Sequence, residues 1–102
     1  MNTFRNPFEA LGDPTRRAIL ASLRGGSKTA GELSEQFELS KATLSHHFKV
    51  LRESGLVRAE KRGTSVVYTL QSNLIEDVAA ELLGLLQEVQ PRVRKTTRGE
   101  SR

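Results

Sequence analysis

The sequence predicts a small, mainly helical domain with one β-hairpin, in the element order α-α-α-α-β-β-α. Two observations support this prediction. Residues that cap helices recur in front of short segments whose apolar side chains have helical spacing. Over Ser65–Leu70 the spacing changes to the alternation of β-branched and aromatic side chains that is typical of a strand. The chain has 102 residues, which is the size of one domain.

Capping residues place the first two helices. Asn6 followed by Pro7 supplies an N-cap and a proline at the first helical position, so a short helix is expected over about residues 6–11. Asp13 followed by Pro14 repeats the same signal. The second helix is expected to end at the glycine pair of residues 25–26.

Two further helices follow, with a short turn between them. Thr29 and Glu32 have the spacing of a capping box at the start of the first one. Ser40 caps the second and longer helix, which Gly55 ends. Two short helices joined by a tight turn over residues 38–40 predict a helix-turn-helix.

The hairpin and the final helix come next. Residues 56–60 and 65–70 predict two strands, and Gly63 supplies the turn between them within a basic tip. Asn73, with Glu76 three residues later, is expected to cap a final helix that ends before Pro91.

The final helix carries more apolar surface than a small helical core can cover, which predicts a homodimer. On the first helix, apolar side chains at i, i+4 and i+7 supply a complementary surface. A chain of this size gains stability when it shares such a surface. The residues expected in the dimer interface are Phe4, Phe8, Leu11, Val78, Leu82, Leu85, Leu86 and Val89.

Positive charge is confined to two parts of the chain. Residues 40–64 hold six basic and two acidic side chains, and residues 92–102 hold five basic and one acidic, whereas the remainder holds five basic and nine acidic. This distribution indicates a polyanionic partner. We expect residues 1–90 to form the folded domain and residues 91–102 to form a basic, disordered tail.

Several classes of protein are excluded by composition. The chain contains no cysteine, so it forms no disulfide, thiolate zinc site, iron–sulfur cluster or cysteine nucleophile. No glycine-flanked serine accompanies a histidine and an acid as in hydrolases, so no enzyme and no cofactor are expected. The sequence has no apolar run of the ~20 residues that span a bilayer. The first seven residues lack the pattern of a signal peptide, which predicts a cytoplasmic protein.

The helix over residues 40–54 has two distinct faces. Leu44, Phe48 and Leu51 form an apolar stripe, and the opposite side carries small or hydrogen-bonding side chains first and cationic side chains later. A helix that enters the major groove needs this order of side chains. The alternative is an ordinary amphipathic surface helix, and the neighbouring short helix and basic hairpin favour DNA binding.

Three segments in order resemble the ArsR/SmtB family of winged-helix transcriptional repressors. They are residues 13–20 (DPTRRAIL), 29–33 (TAGEL) and 39–57 (LSKATLSHHFKVLRESGLV). The hairpin with Arg62 and Tyr68 is similar to the wing of that family. The resemblance covers roughly residues 6–90. It implies a winged helix-turn-helix fold and a homodimer that represses an inverted-repeat operator until an effector releases it.

Position by position, the resemblance also implies which residues meet DNA. It assigns the helix over residues 40–54 to the major groove and the hairpin to phosphate or the minor groove. Arg16 matches a recurrent arginine of the family, either as a phosphate contact or as a structural brace. The implied DNA-contact residues are Thr29, Ser40, Lys41, Ala42, Thr43, Ser45, His46, Lys49, Arg58, Lys61, Arg62 and Thr64.

The sequence departs from the metal-sensing members of that family. Those members use cysteines on the helix that matches residues 29–37, or paired histidines and carboxylates on the last helix, and this chain has neither. His46 and His47 are adjacent and so point about 100° apart around a helix. We therefore expect no metal site, with release from DNA by a small ligand at the dimer interface, by capture by another protein or by simple turnover. Two alternatives stay open: a protein–protein interaction module and a metal-responsive repressor with an atypical site.

Overall fold

The structure, a computed structural model, describes residues 5–87. It confirms a mainly helical fold with a small antiparallel sheet and adds one short strand that the sequence did not predict. The elements in chain order are α1 (Pro7–Ala10), α2 (Pro14–Ser22), β1 (Lys28–Thr29), α3 (Ala30–Gln36), α4 (Lys41–Glu53), β2 (Val57–Arg62), β3 (Ser65–Leu70) and α5 (Ser72–Gly84).

Helices α1 to α4 begin where the capping residues predict. The side chains of Asn6, Asp13, Thr29 and Ser40 each accept a hydrogen bond from a backbone N–H two or three residues later. The Glu32 carboxylate accepts from the Thr29 N–H at 2.8 Å and so completes the predicted capping box. Each such cap contributes about 1 kcal/mol to helix stability.

Helix α5 differs from its prediction at both ends. It begins at Ser72 after Gln71, whose side chain makes no capping hydrogen bond, so the predicted cap at Asn73 is wrong. The Gln71 N–H donates to the carbonyl of Leu56, the residue before β2, at 2.9 Å, and this contact holds the residue from which the helix starts. The helix ends at Gly84 in a tighter turn, short of the predicted end, because glycine is a poor helix former.

The sheet has the strand order β1-β3-β2. Strand β1 pairs antiparallel with β3, with Lys28 opposite Tyr68. Strands β2 and β3 form the predicted hairpin, in register from Val57 opposite Leu70 to Arg62 opposite Ser65. At its turn Gly63 has a φ of +62°, a left-handed conformation that favours glycine.

One hydrophobic core joins α2, α3 and α4 to the sheet. The apolar stripe that the sequence predicts on α4 is buried in it, and the Phe48 ring lies 4.7 Å from the Tyr68 ring of β3. Each fully buried side chain of this size contributes about 2 kcal/mol. The largest fully buried apolar side chains are Ile19, Leu33, Leu44, Leu51 and Leu56.

Gly55 lies between α4 and β2 and packs closely against Leu74. Its φ is +83°, and a Cβ there would lie 3.2 Å from Leu74 Cδ2. The site therefore favours glycine for both conformation and space. Within residues 5–87, no helix has the length and apolar character that crossing a membrane requires.

Candidate nucleic-acid interface

Helix α4 separates its side chains into a buried and an exposed face, as predicted. Leu44, Phe48 and Leu51 point into the core, and His47 beside them is only 9% exposed. The opposite face contains the predicted DNA-contact residues, all of which are exposed: Ser40, Lys41, Ala42, Thr43, Ser45, His46 and Lys49.

The first turn of α4 has an ordered pair of hydroxyl groups. Ser40 Oγ accepts from the Thr43 N–H at 3.1 Å and donates its own hydrogen to Thr43 Oγ1 at 2.9 Å. The Ser40 hydroxyl is thus used within the helix cap. The Thr43 hydroxyl accepts in that contact and keeps its hydrogen for an outside acceptor, such as a phosphate or a base edge.

The hairpin carries the second group of predicted contacts, with Arg58 near its base and the others at its tip, and all of them are exposed. Arg62 is paired with Glu60 at 3.2 Å, and Arg58 donates to Gln71 Oε1 at 3.1 Å. Lys61 and Thr64 make no side-chain hydrogen bond or ion pair with any residue of the range 5–87. The tip therefore presents the charge of Lys61, free within the described residues, and the charge of Arg62, which Glu60 partly neutralises.

Thr29 occupies a more restricted position than the other predicted contacts. It is half-buried, pairs with Val67 in the sheet, and its Oγ1 accepts from the Glu32 N–H at 3.0 Å. The hydroxyl hydrogen remains available at the start of α3. Thr29 thus lies at the point where the sheet meets the helix-turn-helix.

The structure adds Arg52 to the exposed cationic side of α4. It lies one turn beyond Lys49 and is itself exposed. Burial raises the pKa of the Tyr68 phenol, and the charge of Arg52 partly opposes that rise. The i, i+3 spacing from Lys49 is the sequence signal that could have identified this residue.

A groove of about 370 Å³ lies between α3, α4 and β3. Its floor includes Phe48 and Tyr68, and its rim includes Ser34, Lys41 and Ser45. The predicted DNA-contact face of α4 therefore borders a depression and not a flat surface.

Arg16 acts as a brace inside the protein. Its Nε donates to the Ala10 carbonyl of α1 at 2.7 Å, and its Nη1 lies 3.2 Å from His47 Nδ1 of α4. Both contacts use the guanidinium within the domain. Of the two roles that the sequence left open, the geometry favours the structural one.

No group of three or more histidine, aspartate or glutamate side chains suited to holding a metal ion occurs among the residues that the structure describes. The two histidine rings of α4 have centroids 6.0 Å apart and planes tilted by 51°.

Apolar side chains collect on the surface at the end of α5. Leu82, Leu85 and Leu86 are 49%, 80% and 83% exposed, and Leu83, which the sequence analysis did not include, is 58% exposed. Phe8 on α1 is also exposed. Of the other residues predicted for the dimer interface, Leu11 and Val78 pack within the protomer, and Phe4 and Val89 lie outside the described residues.

Comparisons with known proteins agree on one family. Residues 13–59 match a family model described as "Bacterial regulatory protein, arsR family". The transcriptional repressor SdpR of Bacillus subtilis is 35% identical over 83 residues, which cover 81% of this chain and 92% of SdpR. An arsenical resistance operon repressor of Staphylococcus xylosus is 36% identical over 75 residues, covering 74% of this chain and 72% of that protein. The crystal structure of an ArsR family transcriptional regulator is similar with a TM-score of 0.71 and 30% identity, covering 81% of this chain and 92% of that one.

Proposed function

Because the chain belongs to the ArsR family of bacterial transcriptional regulators, we propose that it is a repressor that binds an inverted-repeat operator in double-stranded DNA as a homodimer. The family consists of DNA-binding regulators and not of enzymes. The observation that carries the finer proposal is the exposed face of α4, where small and hydroxyl side chains precede cations.

This face suits the major groove. Ala42 and Ser45 allow close approach of the helix, and the hydroxyl hydrogen of Thr43 is free to donate. Lys41, Lys49 and Arg52 supply charge for phosphates on either side. The hairpin tip adds Lys61 and Arg62 at a second contact point.

The homodimer is supported by the exposed leucines at the end of α5. Water contact with four leucines in one short segment is unfavourable, and a second copy of the chain can bury them. A two-fold dimer presents two copies of α4 to grooves about 34 Å apart, one helical turn of DNA. An inverted repeat is the sequence that such a dimer recognises.

Release from DNA is proposed to be independent of metal ions. The chain has no cysteine, and its only imidazoles are His46, which faces outward, and His47, which is buried against Arg16. Zn²⁺ and Cu⁺ prefer thiolate and imidazole ligands. A small molecule, a partner protein and simple turnover of the complex are the remaining means of release.

A protein–protein interaction module is the second candidate function. Such surfaces usually contain aromatic or large apolar anchors. The exposed face of α4 contains none of these side chains, which favours nucleic acid.

Selection of bound duplexes from a random-sequence DNA pool tests the proposal. We expect enrichment of an inverted repeat, bound with a stoichiometry of two chains per duplex. Enrichment of a single half-site with one chain per duplex would contradict the homodimer, and no enrichment over a mock selection would contradict DNA recognition. The test compares two variants that each add one negative charge at an exposed position. S45E lies in the proposed interface, and A21E lies on the exposed side of α2.

A further inference from the structure

A buried histidine lies directly behind the exposed face of α4. His47 is 9% exposed, and its Nδ1 lies 3.2 Å from Arg16 Nη1. Its Nε2 lies 4.0 Å from Asp13 Oδ2. Because a guanidinium can only donate, Nδ1 must accept this hydrogen bond, and the ring is held as the neutral form with its hydrogen on Nε2.

This hydrogen bond joins three helices through one guanidinium. Arg16 Nε donates to the Ala10 carbonyl at the end of α1, while Nη1 donates to His47 on α4. Arg16 itself is fixed at the start of α2, where its N–H donates to the Asp13 cap at 3.0 Å. The position of α4 relative to α1 and α2 therefore depends in part on this contact.

We propose that His47 is a positioning residue for DNA recognition: its neutral ring, bonded to Arg16, holds α4 in the orientation that sequence-specific binding needs. This inference rests on the proposed function. His47 does not itself touch DNA, since its side chain points away from the exposed face.

Protonation of His47 would break this arrangement. A hydrogen on Nδ1 would face the N–H of Arg16, so two donors and two positive charges would meet at 3.2 Å. The charged ring would be attracted to Asp13 on its other side. Gaining a proton thus moves the preferred partner of His47 from Arg16 to Asp13, and α4 loses this one of its links to α1.

The surroundings of His47 favour the neutral form. Burial lowers the pKa of His47 from its ordinary value of 6.5, Asp13 opposes this effect, and Arg16 and His46 lower the pKa further. These three groups, from α2 with its cap and from α4 itself, are the charged or titratable neighbours that act on the ring among residues 5–87. The neutral ring therefore stabilises the native state above pH 6.5, and this contribution is lost as the pH falls through the lowered pKa of the folded state.

The two adjacent histidines should therefore have opposite effects on DNA binding. A proton on exposed His46 adds a cation near phosphates and strengthens binding to any sequence. A proton on His47 disturbs the orientation of α4 and weakens binding to the specific sequence. Separating the two requires one variant for each residue.

The experiment measures affinity at about pH 7.5 and about pH 4.5, because the pKa of His47 lies below the ordinary histidine value and the lower pH has to reach it. The probes are the duplex that the wild type selects from a random pool and a scrambled duplex of equal length. The variants are H46Q, H47Q and the double variant, with the fold checked by circular dichroism at each pH. Glutamine at 47 can accept from Arg16 but does not titrate.

We expect H46Q to lose about fivefold or more of its affinity for the selected duplex on acidification, with a smaller loss for the scrambled one. H47Q should bind as the wild type does at the higher pH and show no acid loss. The double variant should be insensitive to pH.

The positioning role would be overturned if H46Q lost no affinity for the selected duplex on acidification, or if H47Q did lose affinity. Either result would leave DNA binding established. A wild type that selects no duplex would instead overturn the proposed function and this inference with it. If H47Q does not fold, the dependence of H46Q affinity on pH decides by itself whether the positioning role holds.

Discussion

Arg5 is bonded to Glu53 twice, once through the backbone and once through the side chain. Its N–H donates to the Glu53 carbonyl at 3.0 Å, and its Nε donates to the Glu53 carboxylate at 2.7 Å. The segment before α1 is thereby fastened to the last turn of α4. Helix α4 is thus connected to the region of α1 by this contact as well as through Arg16.

The first prediction concerns the acid sensitivity of this pair. The hydrogen bond from Arg5 lowers the pKa of the Glu53 carboxyl from its ordinary value of 4.5. The stabilisation is present above that value and is lost as the pH falls through the pKa of the folded state. We expect E53Q to melt at a lower temperature than the wild type at neutral pH, with the difference vanishing in acid. Thermal unfolding across pH checks this, with E38Q as the control for loss of an exposed carboxylate. A difference that persists unchanged in acid would contradict the assignment.

The second prediction concerns the hairpin tip. R62A should weaken binding to all DNA sequences alike and reduce the slope of log affinity against log salt by about 0.9, the value for one phosphate contact. E60Q should act in the opposite direction, because it frees Arg62 from its pair at 3.2 Å. Fluorescence anisotropy at several salt concentrations measures both variants. Equal slopes for R62A and the wild type would remove Arg62 from the interface.

The third prediction concerns the exposed face of α4. S45E should lose specific binding, because it places a carboxylate and a longer side chain where DNA phosphates and bases approach. Its melting temperature should stay close to that of the wild type, since the Ser45 side chain makes no hydrogen bond within the described part of the chain. A21E is the charge-matched control and should bind normally. Normal binding by S45E would show that another surface contacts DNA.

The fourth prediction concerns assembly. Leu86 is 83% exposed in the protomer, so L86E should leave the fold intact. In a dimer the same change buries an unpaired carboxylate at a cost of several kcal/mol. Sedimentation should show a dimer for the wild type and a monomer for L86E, with operator binding lost. S72E, at the exposed start of the same helix, serves as the control. A wild type that sediments as a monomer at micromolar concentration would contradict the proposed dimer.

The fifth prediction concerns metal ions. Adding Zn²⁺, Ni²⁺ or Cu⁺ to a preformed complex of chelator-washed protein and DNA should not release the DNA, because the ligands that these ions prefer are scarce in this chain. Anisotropy during the titration measures release. Dissociation by micromolar metal that a chelator reverses would reveal a metal site and contradict the proposal.

The starts of helices α1 to α4 could be predicted because their causes are local. A cap such as Ser40 acts on a residue three positions later, so sequence order alone exposes it. Strand β1 could not be predicted in this way, because two residues are too few to show an alternation of apolar and polar side chains. It is a strand only because it pairs with β3, where Lys28 lies opposite Tyr68. The start of α5 also depends on a distant partner, the Leu56 carbonyl.

The same distinction applies to the candidate interface. The exposed face of α4 follows from helical spacing once the buried stripe is known, and the structure places those residues as expected. The role of Arg16 did not follow, because its partner His47 lies 31 residues away along the chain. Spacing predicted only that His46 and His47 point in different directions, and the folded chain shows the guanidinium beside His47.

The hairpin tip makes few contacts with the rest of the molecule. A Cβ on Gly63 would meet nothing within 4 Å, and the side chains around it are exposed. Mutations at Lys61, Arg62 or Thr64 therefore have little effect on folding, provided the turn keeps a residue that tolerates a positive φ. In the proposed interface, changes of charge at this tip would therefore adjust the strength of DNA binding over generations without altering the fold or the sequence preference proposed for α4.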